Sequence, residues 1–246
     1  MTDLGMGGFP GVRKFFLPLL RQLFPPACPL CSHTFSSEET EVFCSACMAG
    51  FKALPEAYCP VCALPFAGVS NSSHLCSRCT LHPPSYEKVY TVGLYEQSLR
   101  YAIHQFKFNR KVSLDRSLGV LLEQAVDRNL SVDLIVPIPL SRQRLQQRSY
   151  NQALLLAREF AKIRQLSLAS NLLVKVRDTE SQQGLSAVQR GRNLQGAFKL
   201  RGEVSGRTVL LVDDVMTTGT TVEACSQILL AGGAKAVYVA VIGRAA

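Results

Sequence analysis

Residues 209–221 read VLLVDDVMTTGTT. Four apolar residues, Val209 to Val212, run straight into two adjacent aspartates, Asp213 and Asp214, and then into a threonine and glycine cluster. An apolar run of this length bounded by turn residues predicts a buried strand, and the TVEACSQILLAGG that follows predicts a helix. The pattern repeats upstream. VYTVGLY (89–95) predicts a strand, QSLRYAIHQFKF and SLGVLLEQAVDR predict helices, and LIVPIPL (134–140) predicts a buried strand. NQALLLAREFAKIRQ predicts a helix with its apolar face at Ala153, Leu154, Ala157 and Phe160, NLLVKV and AFKL are strand candidates, and KAVYVAVIG predicts the last strand. Strands alternating with helices predict an α/β fold, a parallel sheet flanked by helices. Ligands of such sheets bind beyond the carboxyl ends of the strands, so the loops after LIVPIPL and TVLLVDD are the places to look.

The second of these loops, DDVMTTGTT, feeds a helix. Thr220 opens T-T-V-E, a capping-box pattern with Glu223. A turn of free N–H groups at the positive end of a helix is an anion site. Thr217, Thr218, Thr220 and Thr221 add hydroxyl donors, and Gly219 permits close backbone approach. No G-x-x-x-x-G-K-[ST] is present, so this is not a P-loop. Asp213 and Asp214 are pure acceptors when ionised and would repel a phosphate. A ribose diol offers two O–H donors at a suitable span. The stretch therefore reads as a holder for ribose 5-phosphate, with the diol on the acids and the phosphate on the threonine turn. Helix capping with two turn-forming aspartates is the plainer alternative.

The front of the chain is different. Eight of the nine cysteines form four C-x-x-C pairs, Cys28/Cys31, Cys44/Cys47, Cys59/Cys62 and Cys76/Cys79, with gaps of 12, 11 and 13 residues. This is zinc-ribbon spacing. Disulfides would need an oxidising compartment, and nothing in the sequence points to export. Two structural Zn²⁺ ions are expected. Sequential sites (Cys28, Cys31, Cys44, Cys47, then Cys59, Cys62, Cys76, Cys79) are favoured over a cross-braced pairing, because each gap suits one hairpin. His33 and His74 are expected in solvated loops, and Cys225 as a small buried hydrophobe. Metal would supply the folding energy of so small a module.

The net charge of +9 falls entirely after residue 85, which suits an anionic partner. No apolar run is long enough for a transmembrane segment, and a cytoplasmic location is expected. Residues 1–27 carry Val12, Phe15, Phe16, Leu19, Leu20 and Leu23 at helical spacing, interrupted by Pro18 and Arg21; an amphipathic helix is a better reading than a signal peptide. The division expected is 1–27 as this segment, 28–84 as a double zinc-binding module with four cysteines per ion, and 85–246 as the α/β domain, with Pro83-Pro84 marking the boundary.

VLLVDDVMTTGTT resembles the phosphoribosyl pyrophosphate (PRPP) motif of type I phosphoribosyltransferases. VPIPLSRQRLQQRSYNQ (136–152), RDTESQQGLSAVQRGRNLQGAF (177–198) and HQFKFNRK (104–111) are similar to segments of the ComF family, which includes competence protein F and GntX-like proteins. C-x-x-C pairs precede the transferase domain in many members. One departure is R-S-Y-N at 148–151 where R-G-F-N is usual, which brings Ser149 to a backbone position that glycine normally occupies. The resemblance implies a phosphoribosyltransferase-like sheet preceded by a zinc-ribbon-like module. It implies PRPP bound with Mg²⁺, Asp213 and Asp214 at the diol, and Arg142, Arg144 and Arg148 in the pyrophosphate loop. Segment 177–198 is either a lid carrying Arg190 and Arg192 to the pyrophosphate or an exposed connection. Lys107 is a further candidate on the substrate side. Phosphoribose would pass to an acceptor that the sequence does not name. The rival expectation is a protein that handles single-stranded DNA with the uptake machinery, with Phe106 and Phe108 equally suited to stacking or to the core.

Overall fold

The computed structural model describes residues 25–35, 42–66, 72–108, 113–177 and 196–246. The chain divides into two compact units, residues 1–48 and 49–246. In the first unit the C-P-L-C turn is closed by two backbone bonds, from Cys28 N–H to the His33 carbonyl (2.7 Å) and from Ser32 N–H to the Cys28 carbonyl (2.8 Å). Ala27 and Thr34 bridge antiparallel behind it. Helix α1 (Ser45–Ala49) carries the partner pair at its start, and Leu30 and Phe43 are buried.

The second unit opens with the same design. Cys59 N–H donates to Leu64 (2.8 Å), Ala63 N–H donates to Cys59 (2.9 Å), and Tyr58 bridges Pro65. Ser32 and Ala63 close the two turns at equivalent positions in the left-handed region, at φ 64 and φ 54. Helix α2 (Ser77–Leu81) completes this ribbon, with the Cys79 N–H donating to the Cys76 thiol sulfur at its N-cap.

There follow β1 (Val89–Leu94), α3 (Gln97–Phe108), α4 (Leu114–Ala125), β2 (Leu134–Pro137), α5 (Arg142–Arg148), α6 (Gln152–Arg164), β3 (Ser167–Leu168), β4 (Leu173–Lys175), β5 (Phe198–Leu200), β6 (Thr208–Met216), α7 (Thr220–Ala231) and β7 (Ala236–Arg244). Five strands form a sheet in the order β1-β7-β6-β2-β3, every pair parallel. The central pair, β6 and β7, reads as near-continuous apolar sequence because both faces of a parallel sheet are covered. Helices α4 and α6 pack on each other and on the sheet. Gly119 lets them approach closely, since a Cβ there would lie 2.5 Å from Glu159 Cβ. Arg164 locks the pair, its Nε 2.5 Å from Glu123 Oε1 and its Nη2 3.0 Å from the Val126 carbonyl at the end of α4.

Three expectations shift. NLLVKV and AFKL do form strands, but as a separate antiparallel pair, β4–β5, outside the main sheet. LIVPIPL yields a strand only to Pro137; the prolines at 137 and 139 lack the N–H that a ladder needs, although Ile138 N–H still reaches the Val212 carbonyl at 2.9 Å. The helix expected from Ser117 starts at Leu114, which is fully buried with Leu118 and Leu122. The amphipathic segment before residue 25 and nearly all of segment 177–198, with Arg190 and Arg192, lie outside the described residues.

The second ribbon is continuous with the sheet's core. Cys59, Cys62, Cys76 and Cys79 belong to one buried cluster with Val209 and Leu211 of β6, Val237 and Val239 of β7, and Val222, Cys225 and Leu229 of α7. Cys225 is thus the small buried hydrophobe expected.

Candidate functional site

The two acids do not sit in a loop. β6 runs on to Met216, and Asp213 registers with Val241, Val215 with Gly243 and Met216 with Arg244 of β7. The reason is that β7 offers ladder partners up to Arg244, so pairing outlasts the apolar run. Consecutive residues of a strand alternate in direction. Asp214 turns to α3, where its carboxylate meets Lys107 Nζ at 2.8 Å with both side chains largely buried. Asp213 is partly buried and accepts the Asp214 N–H at 2.8 Å. Burial, and then the adjacent Asp214 charge, push Asp213 up to about 7, with Lys107 and Arg148 pulling the other way. The site therefore holds two crowded carboxylates and one nearby ammonium.

The loop proper is Thr217 to Gly219. Gly219 takes φ 75, the left-handed conformation that favours glycine; a Cβ there would come 2.4 Å from Met216 Cε, the movable end of a flexible side chain. The Thr218 and Thr220 hydroxyls lie 2.8 Å apart. The capping box is not formed. Gly219 is the N-cap of α7, with no side-chain cap, which puts Glu223 one position too late. Its carboxylate instead takes the Ser85 N–H (2.9 Å) and hydroxyl (2.7 Å), fastening the segment between ribbon and β1 to α7.

Two arginines unforeseen in the sequence brace this loop. Arg244, at the end of β7, is 4% exposed. Its Nε donates to the Cys62 carbonyl (2.8 Å), and Nη1 donates to the carbonyls of Thr217 (2.6 Å), Met216 (3.2 Å) and Ala245. Arg78, from the C-S-R-C turn of the second ribbon, donates to the Thr218 carbonyl. One guanidinium thus ties a cysteine turn directly to the threonine loop. An arginine ending an otherwise apolar strand was the available signal.

The arginines of the other loop form α5, a short exposed helix capped by Ser141. Arg142 is exposed, while Arg144 and Arg148 are half-buried. Arg148 lies over the Phe108 ring, 5.2 Å from its centroid, and bonds Gln152 Oε1 at 3.3 Å. The R-S-Y-N stretch has local structural duties. Ser149 ends α5 at φ 68, which explains why glycine suits that position. The Tyr150 hydroxyl donates to the Phe106 carbonyl. Asn151 caps α6 through the Ala153 N–H (3.0 Å) while donating to the Ile138 carbonyl at the end of β2 (3.0 Å). Phe106 is fully buried, whereas Phe108 is 56% exposed.

The four pairs assemble sequentially: Cys28, Cys31, Cys44 and Cys47 form one cluster and Cys59, Cys62, Cys76 and Cys79 the other, with the sulfurs of each within 4.8 Å. Cys31 and Cys44 sulfurs lie 3.5 Å apart, Cys62 and Cys76 sulfurs 3.7 Å. Tetrahedral zinc with Zn–S of about 2.3 Å wants sulfurs about 3.8 Å apart, so both sets fit the ion. Burial works to raise the Cys28 and Cys59 thiols, but surrounding backbone N–H groups outweigh it and pull both down to about 7. Burial and neighbouring thiols push Cys47 and Cys79 up, a crowding that a divalent ion would relieve. Neither loop histidine joins a cluster; His74 stacks on Phe66 at 4.1 Å.

A profile of the double zinc ribbon domain matches residues 19–80, and one of the phosphoribosyl transferase domain matches residues 151–245. The DNA utilization protein YhgH of Escherichia coli (strain K12) is 37% identical over 203 residues, 80% of this chain and 87% of that one. Competence protein F of Haemophilus influenzae is 35% identical over 211 residues, 82% and 90% of the two chains. The chain belongs to the ComF family. This ComF chain joins two four-cysteine zinc-binding sites to a phosphoribosyl transferase domain. Among solved structures, the allosteric regulatory enzyme of purine biosynthesis is 23% identical with a TM-score of 0.39, over 53% of this chain; the match spans only 26% of that longer chain. The purine phosphoribosyltransferase of Pyrococcus horikoshii is 20% identical with a TM-score of 0.32, over 51% and 69% of the two chains. No helix among the described residues is long and apolar enough to cross a membrane.

Proposed function

We propose that this ComF chain binds PRPP and transfers its phosphoribosyl group. The observation that carries the reading is the run of Asp213 and Asp214, with Lys107 on Asp214, into a threonine turn and a helix N-terminus at the carboxyl end of β6. The carboxylates accept the ribose hydroxyls, and the N–H groups and hydroxyls of Thr217, Thr218, Gly219, Thr220 and Thr221 receive the 5-phosphate. Arg142, Arg144 and Arg148 are assigned to the pyrophosphate, as are Arg190 and Arg192. Crowded carboxylates suit a cation close by, and Mg²⁺ accompanying PRPP would supply charge neutralisation to the leaving pyrophosphate. The chain's own part is to orient the ribose and to hold positive charge where pyrophosphate departs. Calorimetry with PRPP and Mg²⁺ tests this. Binding is expected for the wild type and loss of most of the heat for the Asp213→Asn/Asp214→Asn protein; equal heats would remove the diol assignment.

A second reading has support on α3. Tyr101 and Phe108 are exposed, His104 lies against Phe108 with ring centroids 4.8 Å apart, and Arg148 covers the same ring. Exposed rings beside cations suit stacked bases of a single strand, in keeping with relatives named for DNA utilization and competence. Binding of an oligonucleotide should then weaken steeply as salt rises, and Phe108→Ala should weaken it further. Salt-independent binding would rule out this mode.

A further inference from the structure

A cavity of 740 Å³ opens where the carboxyl ends of β6 and β7 meet the second ribbon. The sheet contributes Met216, Thr217 and Thr218 on one side and Arg244 on the other; Cys62 and Cys76 supply the ribbon wall. Its volume suits one small organic molecule. Three cationic or protonatable side chains line it, Arg78, His82 and Arg244, against one carboxylate side chain, Glu223, with Ala246 also in the wall. That carboxylate is already occupied, accepting from Ser85 and from Gln227 Nε2 at 2.8 Å. Arg244 has no carboxylate within ion-pair distance among the described residues. Tyr86 supplies a second, independent sign of a ligand. It is 5% exposed, it lines the cavity, and its hydroxyl makes no hydrogen bond to a described residue. A Cβ on Gly219 would lie 3.6 Å from that hydroxyl, so the phenol stands beside the threonine loop. Pro83, Pro84 and Met216 add flat apolar surface.

The guanidinium N–H groups that reach the Cys62, Met216, Thr217, Thr218 and Ala245 carbonyls are satisfied, but their charge has no side-chain counter-charge among the described residues; uncompensated positive charge between apolar plates calls for a planar anion. We propose that this cavity is the acceptor site of the phosphoribosyl transfer and that it takes an aromatic nitrogen nucleophile bearing a carboxylate. The proposal rests on the donor reading above, because Thr217 and Thr218 wall both the donor loop and the cavity. The acceptor nitrogen's lone pair forms the bond to ribose carbon 1 as the bond from that carbon to pyrophosphate oxygen breaks. Pyrophosphate leaves with the bonding pair, and any proton on the nitrogen passes to water. Arg78 and Arg244 hold the carboxylate, and Tyr86 donates to a ring substituent. The second ribbon thereby becomes a wall that selects the acceptor.

The test uses the full zinc-loaded chain and measures binding of orotate, nicotinate and anthranilate against adenine, hypoxanthine and uracil, with PRPP affinity measured in parallel. At least one of the carboxylates should bind more tightly than the neutral bases. Arg78→Gln should weaken it by about ten- to hundredfold, the loss expected for a charge-assisted bond, and Tyr86→Phe by about three- to tenfold. Tyr86→Phe preserves packing, and its zinc content and melting temperature check that the ribbon is intact. Neutral bases binding as well as the carboxylates, or an affinity indifferent to both substitutions, would overturn the proposal. PRPP binding without carboxylate binding overturns the acceptor site alone. Carboxylate binding without PRPP binding overturns the donor reading and the acceptor role with it.

Discussion

The two cysteine ribbons share one local design and differ in their surroundings. Each has a C-P-x-C turn closed by a left-handed residue, Ser32 in one and Ala63 in the other, and each takes its second pair from a five-residue helix. In the first, Cys31 is exposed and Cys47 half-exposed; in the second all four thiols are buried. The second site's cysteines belong to the core cluster of β6, β7 and α7, and Arg244 and Arg78 carry its turns to the threonine loop. The same motif thus folds a module in one place and completes a domain in the other. A metal site costs little to lose when only its own turn depends on it, and a great deal when a shared core does.

The sharpest way to break this contrast is to remove a thiolate from each site. Cys31→Ser and Cys79→Ser should each lower the zinc content from two ions per chain to one. Structural zinc is worth about 10–16 kcal/mol of apparent binding energy, as much as a whole domain's stability. Cys79→Ser should therefore abolish cooperative melting of residues 49–246 and PRPP binding with it, while Cys31→Ser should leave both. Equal damage in calorimetric melts would mean that the first site also supports the sheet.

Arg244→Met tests the link with both zinc sites intact. Carbonyls of Cys62, Met216 and Thr217 would lose a charged donor, a cost of about 3 kcal/mol, or roughly 10 °C in melting temperature. PRPP affinity should fall although no contact assigned to PRPP is removed. An unchanged melt would separate the second ribbon from the loop.

The pH dependence of the sheet's own acid is independent of zinc. Unfolded, Asp213 titrates near its ordinary 3.8; folded, it is pushed up to about 7. Between these values the folded chain holds a proton that the unfolded chain has lost. Its contribution to stability is fully present below about pH 4 and is lost as pH rises through 7. Denaturant melts from pH 4 to pH 8 should show this decline, and Asp213→Asn should flatten it; an identical slope in the variant would mean that another group is responsible. The smallest effect is expected at the turns. Ala63→Gly relieves a left-handed alanine and should stabilise residues 49–246 by about 0.5 kcal/mol, whereas Ser32→Gly should leave that unit's melt unchanged. A shift of the same size from Ser32→Gly would blur the contrast.

Much of this was legible in the sequence. The C-x-x-C spacing is a local signal, because two thiolates in one turn and two in the next satisfy one ion through short-range geometry. The order of strands and helices was readable because burial imposes its own period on each. The misreadings at the site involve a distant partner. DDVM looks like a loop because acids end the apolar run, yet β7 keeps Asp213 to Met216 in register. Thr220 and Glu223 match a capping box, yet Ser85 claims the carboxylate. Lys107 gave no sign of its pairing with Asp214, 107 residues onward in the chain.

The sequence alone determined the two four-cysteine clusters, the alternation of the α/β domain and the acid-and-threonine stretch proposed to hold PRPP, since each rests on residues close together in the chain. Tertiary structure alone decided that the second ribbon shares the sheet's core, that Arg244 joins a cysteine turn to the threonine loop, and that a cationic cavity lies between them. Those are consequences of side chains about 30 to 180 residues apart meeting in a low-dielectric interior, where an unpaired polar group is costly and partners are set by packing rather than by spacing.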